Sequence, residues 1–158
     1  MKEEESLILC TTSKLTPRQV YCTGEFVPQS LNLRLYYQLT ISRLNGDYNS
    51  LHATPEPGKA MGFPGVISHG LIAWNMCAHA VVRCVGQSDG SSLLDFQARF
   101  AAPVLPGDQL CVEMWLHDDI EMKGGVVEVR FLCRVGEKIV LKAGRALIKR
   151  GLNVQAKI

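Results

Sequence analysis

"GLIAWNMCAHAVVRCVG", residues 70–86, carries the strongest helical pattern in this chain of 158 residues. Ser68, two residues before it, is a good N-cap residue, and Gly86 provides an end for a helix. Apolar residues occur on nearly every face of this run, which is typical of a helix that is buried on all sides. We therefore predict a buried helix over residues 68–85.

After this helix the sequence changes from a period of 3.6 residues to a period of two. Apolar and polar residues alternate over residues 94–100, 110–117, 127–134 and 139–149, and turn sequences containing glycine separate these runs. Such alternation is typical of antiparallel strands that bury one face. We predict an α+β fold in which an antiparallel sheet of four consecutive strands wraps around the helix.

The N-terminal part of the chain gives weaker patterns. We predict an uncertain arm or linker over residues 1–19, followed by a single domain over residues 20–158. Within that domain, residues 20–27 are expected to form a strand and residues 33–44 a short helix, which Asn45, Gly46 and Asp47 would end. Residues 48–65 are rich in proline and glycine, so we expect irregular backbone of the kind that often carries function.

Composition limits the classes of function. The chain is 47% hydrophobic and 20% charged with a net charge of +2, which is ordinary for a soluble domain and too weakly basic to predict binding of nucleic acid. No apolar run reaches the roughly 18–20 residues of a membrane span. The six cysteines lack regular spacing and no signal peptide is recognisable, so we expect reduced thiols, with Cys77 and Cys84 packing on one helix face. Cys77 and His79 would point to different helix faces, and we predict no metal site and no cofactor.

The loop "RLNGDYNSLHATP", residues 43–55, contains the candidate chemistry. Asp47 and His52 are five residues apart, so they could meet across a turn and move protons near neutral pH, and Asn49 between them could fix their geometry. On spacing alone, however, a capped turn with a solvated histidine is the commoner meaning of such a loop.

Three segments together resemble one protein family. "LNGDYNSLH", residues 44–52, resembles the signature of the MaoC-like, or type 2, enoyl-CoA hydratases, which is Gly-Asp-any-Asn followed by Pro, an aliphatic residue and His. "GFPGVISHGL", residues 62–71, and "ARFAAPVLPGD", residues 98–108, resemble the second and third segments of that family in the same order. The resemblance implies a hot-dog fold, in which the sheet wraps around the long helix.

The resemblance also implies roles for individual residues. Asp47 and His52 would be the catalytic pair that holds one water molecule, and Asn49 would orient them. Gly70 would offer its N–H to the thioester oxygen of the substrate, and its missing Cβ would leave space for that oxygen. The implied reaction is the (R)-specific hydration of a trans-2-enoyl-CoA, or the reverse dehydration.

Two further histidines receive less specific interpretations. His69 is predicted to be a packed residue that supports the loop, and His79 is predicted to be a core residue of the buried helix. Neither histidine is assigned a part in the reaction.

The sequence departs from the family pattern at several positions, and alternatives stay open. Ser50 stands where the family usually has proline, and Gly58 stands where alanine or serine is usual. One alternative is a non-catalytic module for acyl-thioester binding or dimerisation, because Ser50 lacks the rigidity of proline. Another is a dehydratase that acts on carrier-bound acyl groups in polyketide or fatty-acid synthesis.

The resemblance extends to partners and location. It implies an acyl-CoA substrate and a homodimer, and we predict no nucleic-acid partner. The last three residues, Ala156, Lys157 and Ile158, resemble a peroxisomal targeting tripeptide, so we expect a peroxisomal or, second, a cytoplasmic location.

Overall fold

Five antiparallel strands form one sheet in the part of the chain that the computed structural model describes, which is residues 18–23, 43–122 and 125–149. The sheet order is β1-β3-β4-β5-β2, and every pairing is antiparallel. The strands are β1 (Arg18–Thr23), β2 (Leu93–Phe100), β3 (Cys111–Met122), β4 (Val126–Val135) and β5 (Lys138–Lys149).

The period of two predicted β2 to β5 correctly. Each of these strands lies within five residues of its expected bounds. The apolar positions of the pattern are buried in β3 and β4, whereas Leu94 and Phe100 of β2 and Ile139 of β5 are exposed, so the buried face was predicted only in part there. The strand expected from Val20 is β1, which begins at Arg18; residues 24–27 lie outside the described residues, as do residues 1–17. β1 pairs with β3 in the register Cys22 to Val112, which places it at one edge of the described sheet.

One face of the sheet packs against the long helix α2 (Gly70–Val85). Met114 on β3 lies opposite Phe131 on β4, and Val129 on β4 lies opposite Ala146 on β5. All four side chains are buried, so alternate residues of neighbouring strands build a continuous apolar layer.

The helix α2 begins later than predicted and has a different cap. His69, rather than Ser68, is the N-cap residue, because the His69 ring accepts a hydrogen bond from the N–H of Leu71. Both residues precede the apolar run. Because histidine is not a usual capping residue, the sequence favoured Ser68 as the cap. Gly86 ends the helix as predicted.

The expectation that α2 is buried on all sides is wrong. In the described chain one side of the helix packs on the sheet, through Ala73, Cys77, Ala80, Val81 and Val82. Another side is exposed, through a stripe at four-residue spacing: Leu71, Asn75, His79 and Arg83. His79 is therefore an exposed residue and not a core residue. Three of the four stripe residues are polar, which was a signal of exposure in the sequence.

The cysteines follow the expectation only in part. Cys77 on α2 and Cys133 on β4 are buried free thiols, and the hydrogen bond between them, together with burial, raises the pKa of Cys77. Cys84 is disulfide-bonded, so the expectation of a reduced packing thiol is wrong at this position.

A cluster of ion pairs joins three strands. The buried carboxylate of Glu128 on β4 accepts hydrogen bonds from Arg130 and from Nε of Arg145 on β5, the latter at 2.9 Å. Arg145 also donates to Asp95 on β2 at 2.9 Å. Burial alone would raise the pKa of the Glu128 carboxyl, but the hydrogen bonds and charges of the two arginines outweigh it and lower that pKa.

The segment before α2 is more regular than predicted. Of the helix expected over residues 33–44, residues 33–42 lie outside the described residues; residues 43 and 44 are helical and a turn at Asn45 and Gly46 follows, as predicted. The expectation of irregular backbone over residues 48–65 is wrong in part, because it contains a 3-10 turn (Ser50–His52) and the short helix α1 (Pro55–Ala60). Proline is compatible with the first turn of a helix, where the backbone N–H has no partner in the helix.

Candidate active site

Asp47 is held by its own loop. Gly46 adopts a left-handed conformation with φ of +82°, and its N–H donates to the carbonyl oxygen of Arg43 at 3.0 Å. Asp47 directly follows this turn, and its Oδ1 accepts the N–H of Asn49 at 2.9 Å. One oxygen of the carboxylate is thereby fixed, and the other is left for contacts outside the loop.

Asn49 caps the turn that carries His52. Its Oδ1 accepts the N–H of Leu51 at 3.0 Å, and its carbonyl oxygen accepts the N–H of His52 at 3.2 Å. The Asn49 side chain thus bonds to backbone rather than to the imidazole. Asn49 can orient both members of the predicted pair, but it does so through its backbone and through the turn.

His52 is anchored to the segment before α2. Its Nδ1 lies 2.9 Å from the carbonyl oxygen of Ile67, which can only accept a hydrogen bond. Nδ1 therefore carries the hydrogen, and in the neutral ring Nε2 has a free lone pair. This Nε2 lies 3.7 Å from Oδ2 of Asp47, and only 13% of the His52 side chain is exposed.

His69 joins the predicted pair as a third side chain. Its Nδ1 accepts the N–H of Leu71 at 3.1 Å, and its Nε2 lies 3.2 Å from Oδ2 of Asp47. The rings of His52 and His69 have their centroids 5.0 Å apart at an angle of 67°. The sequence interpretation of His69 as a packed residue missed this contact, and the available signal was its place directly before the first residue of the helix.

The three side chains also have atoms suited to binding a metal ion. One oxygen or nitrogen atom from each of Asp47, His52 and His69 lies within 4.8 Å of the others. A metal on Nε2 of His69 would require the ring hydrogen to move to Nδ1, which faces the N–H of Leu71. The hydrogen-bond arrangement therefore favours proton transfer over metal binding.

The loop and the start of α2 lie within the part of the chain that matches a known protein family. The family model described as "MaoC like domain" matches residues 38–135, which include Asp47, His52 and His69. The chain belongs to the MaoC-like domain family. The expected hot-dog fold is thereby confirmed.

Two relatives and one solved structure resemble this MaoC-like chain. "Probable dehydratase NIT22" of Ajellomyces capsulatus is 43% identical over 140 residues, which are 84% of this chain and 36% of that protein. "Enoyl-CoA hydratase 2, peroxisomal" of Arabidopsis thaliana is 42% identical over 79 residues, which are 50% of this chain and 26% of that protein. The structure of the "(R)-hydratase from A. caviae involved in PHA biosynthesis" superposes with a TM-score of 0.68 at 18% identity, covering 89% of this chain and 100% of that one.

The MaoC-like chain thus spans about a quarter to a third of the length of the two curated relatives. No helix in the described ranges of the chain is long and apolar enough to cross a membrane.

Gly70 is the first residue of α2 in this MaoC-like chain. Within the described residues, its N–H has no hydrogen-bond acceptor, and it lies at the positive end of the helix dipole. A Cβ at this position would lie 2.9 Å from Cε1 of Phe100. The expectation that the missing Cβ leaves empty space is therefore wrong in this structure, because the ring of Phe100 fills that space.

An aromatic wall leads from the start of α2 to the sheet. The Trp74 ring lies 5.7 Å from the ring of Phe100 and 5.3 Å from that of Phe96, and Phe96 stacks on Phe131 at 4.8 Å. Phe100 is 55% exposed while Phe131 is buried, so the wall runs from the surface into the core. Sequence periodicity predicted that these positions were apolar but did not indicate that they are contiguous.

Proposed function

We propose that this MaoC-like domain is a hydro-lyase that adds water to a trans-2-enoyl-CoA, giving the (R)-3-hydroxyacyl-CoA, or removes water in the reverse direction. The observation that carries the proposal is the separation of 3.7 Å between Oδ2 of Asp47 and Nε2 of His52. Both atoms accept hydrogen bonds, so one water molecule between them can donate a hydrogen to each.

The reaction follows from this placement of the water. Its oxygen attacks the β-carbon of the enoyl thioester while its proton passes to Nε2 of His52, the acceptor left free by the bond from Nδ1 to Ile67. The electron pair of the double bond moves to the α-carbon and the thioester oxygen. The same proton is then delivered to the α-carbon, so that the product has gained one hydroxyl group and one hydrogen.

The developing negative charge on the thioester oxygen needs a hydrogen-bond donor. The N–H of Gly70 is a suitable donor, because the first amides of a helix have no partner within it. Gly70 directly follows His69 in the chain, which brings the start of α2 to the Asp47 carboxylate. The aromatic wall beginning at Phe100 offers an apolar surface for the acyl chain.

The name of one relative supports dehydration as the physiological direction. The relative from Ajellomyces capsulatus, which covers 84% of this chain, is named a probable dehydratase, whereas other relatives are named hydratases. A site that lowers the barrier for hydration also lowers it for dehydration, so the concentrations of substrate and product decide the direction. Dehydration of a carrier-bound acyl group remains the alternative substrate class.

A non-catalytic module is less well supported. That reading depended on Ser50, which lacks the rigidity of the usual proline. Ser50 begins a 3-10 turn that Asn49 caps, and the carbonyl oxygen of Leu51 accepts the N–H of Ile67 at 3.4 Å. These hydrogen bonds hold the backbone of the turn in place, which a proline at position 50 would otherwise do.

Assembly and location form a further part of the proposal. We propose a homodimer that covers exposed apolar side chains of α2 and β2, among them Leu71, Leu94 and Phe100. We also propose a single domain, expected over residues 20–158, whose first strand begins at Arg18 in the structure, with an arm before it. A peroxisomal location stays a prediction: some relatives are named peroxisomal, and residues 156–158 lie outside the described residues.

The loss of enoyl-thioester absorbance tests the proposed activity, with crotonyl-CoA and longer enoyl-CoAs as substrates and chiral analysis of the product. We expect turnover and the (R) product. An (S) product would overturn the stereochemistry, and no turnover by folded protein with either CoA or carrier-bound enoyl groups would overturn the activity. Faster turnover of carrier-bound substrates would favour the alternative substrate class.

A further inference from the structure

We propose that His69 is a positioning residue that fixes the Asp47 carboxylate for the reaction, and that the N-terminus of α2 fixes the hydrogen of His69 in turn. This inference rests on the proposed function, since it gives His69 a part in the same site. It adds a third side chain to the predicted pair of Asp47 and His52.

The position of the hydrogen on His69 follows from its cap. The backbone N–H of Leu71 can only donate, so Nδ1 of His69 must accept it, at 3.1 Å. The hydrogen of the neutral ring is then on Nε2. This atom lies 3.2 Å from Oδ2 of Asp47, so His69 donates to the carboxylate.

His52 has the opposite arrangement. A carbonyl oxygen fixes the hydrogen of its ring on Nδ1, whereas an amide N–H fixes the hydrogen of the His69 ring on Nε2. The same oxygen of Asp47 therefore faces a donor from His69 and an acceptor from His52. The two histidines cannot exchange roles without breaking a bond to the backbone.

The consequence for Asp47 is restraint at both oxygens. Oδ1 accepts from the N–H of Asn49 at 2.9 Å, and Oδ2 accepts from His69. A carboxylate held at both ends cannot rotate about its terminal bond without losing one hydrogen bond. The remaining lone pair of Oδ2 is thus kept directed for the water shared with His52, which is the kind of orientation on which rate depends steeply.

Two substitutions separate positioning from capping. His69→Asn keeps an acceptor near the place of Nδ1 for the N–H of Leu71, and asparagine is a strong N-cap residue, but its side chain is too short to reach Asp47. His69→Gln places an N–H donor near the position of Nε2 and lacks the acceptor at Nδ1. The proposal and a purely structural role therefore predict opposite orders of activity.

We expect His69→Asn to lower kcat about tenfold with little change in KM and in melting temperature, because substrate binding and the cap are retained. We expect His69→Gln to recover most of kcat with a lower melting temperature. Near-normal kcat in His69→Asn together with impaired kcat in His69→Gln would overturn the proposal, since only the cap would then matter. Equal kcat in both variants and in wild type would also overturn it.

A matched control separates loss of a cap from loss of the site. Asp89 caps the 3-10 turn Gly90–Ser92 by accepting the N–H of Ser91 at 2.9 Å, also two residues further on. Asp89→Ala should lower the melting temperature without lowering kcat. Asp47→Asn and His52→Gln belong in the same assay. If these two variants are inactive while His69→Asn is fully active, only the positioning role of His69 fails. If neither Asp47→Asn nor His52→Gln lowers kcat, the proposed function fails.

Nitrogen chemical shifts of the imidazole rings give a readout that does not depend on activity. When both rings are neutral, we expect the hydrogen on Nε2 in His69 and on Nδ1 in His52. The hydrogen on Nδ1 of His69 would overturn the inference, whatever the kinetics show.

Discussion

The carbonyl oxygen of Gly65 occupies the position that a side chain at Gly58 would need. A Cβ built on Gly58 would lie 1.9 Å from that oxygen, and Gly58 is buried in α1. Residue 58 is where the family resembled by the sequence usually has alanine or serine. In this chain the close approach of α1 to the segment before α2 therefore depends on glycine.

Gly58→Ala should accordingly destabilise the protein. The backbone at Gly65 must move to accept a methyl group, and overpacking of this kind costs about 1–3 kcal/mol. Thermal melting will measure the loss, and Gly90→Ala is the matched control, because a Cβ at Gly90 would meet nothing within 4 Å. If both variants melt at the wild-type temperature, the close packing at Gly58 does not exist in solution.

Removing either member of the proposed catalytic pair should abolish most of the activity. We expect Asp47→Asn and His52→Gln each to lower kcat by at least ~10²-fold, the usual scale for a lost acid–base group. Asp89→Asn is the control, because it changes an exposed carboxylate outside the site to an amide that can still cap its turn. Near-normal turnover in either site variant would remove that residue from the mechanism.

The proposed oxyanion role of Gly70 requires a test that accounts for Phe100. Gly70→Val should lower kcat/KM by about 10²-fold or more, by shielding the N–H from the thioester oxygen. It should also displace the Phe100 ring, since even a Cβ would lie 2.9 Å from Cε1 of that residue.

Combining the substitution with Phe100→Leu separates the two effects. We expect the double variant to regain melting temperature but to stay impaired in kcat/KM when it is compared with Phe100→Leu alone. Recovery of kcat/KM in the double variant would mean that the ring clash, and not the N–H, caused the loss.

The ion-pair cluster on β2, β4 and β5 should make stability depend on pH. The pKa of Glu128 is lowered in the folded protein, so its contribution is present above the ordinary glutamate pKa of about 4.3 and is lost as the pH falls through the lower folded value. Glu128→Gln should destabilise the protein by about 1–3 kcal/mol at neutral pH. Melting curves between about pH 7 and pH 3 should show this difference shrinking at the acidic end. Glu137→Gln, in an exposed turn, serves as control, and a difference that does not change with pH would contradict the assignment.

The sequence predicted those parts of the fold that depend on repeated local patterns. The alternation in β3 and β4 specifies which side of each strand is buried, because successive side chains point to opposite faces. In β2 and β5 it does so only in part, since Leu94, Phe100 and Ile139 are exposed although they occupy apolar positions of the pattern. The end of α2 at Gly86 and the turn at Gly46 were likewise predictable from glycine. The family resemblance supplied the hot-dog arrangement, which periodicity alone did not specify.

The features that the sequence did not reveal depend on individual contacts. His69 and Ser68 both stand before the helix, and the actual N-cap depends on where the ring meets Leu71 and Asp47. His79 looked buried because its neighbours are apolar, but it lies on the exposed stripe of α2. The ring of Phe100 reaches Gly70 from 30 residues further along the chain, and no local pattern predicts such a contact.

Among the residues that the structure describes, the side-chain hydrogen bonds of Asp47, His52 and His69 are made within residues 46–71, whereas β1 pairs with β3 about ninety residues away. The proposed reacting groups therefore form one contiguous cassette of sequence. Gene fusion, duplication or recombination outside this cassette can lengthen or rearrange the protein without separating them.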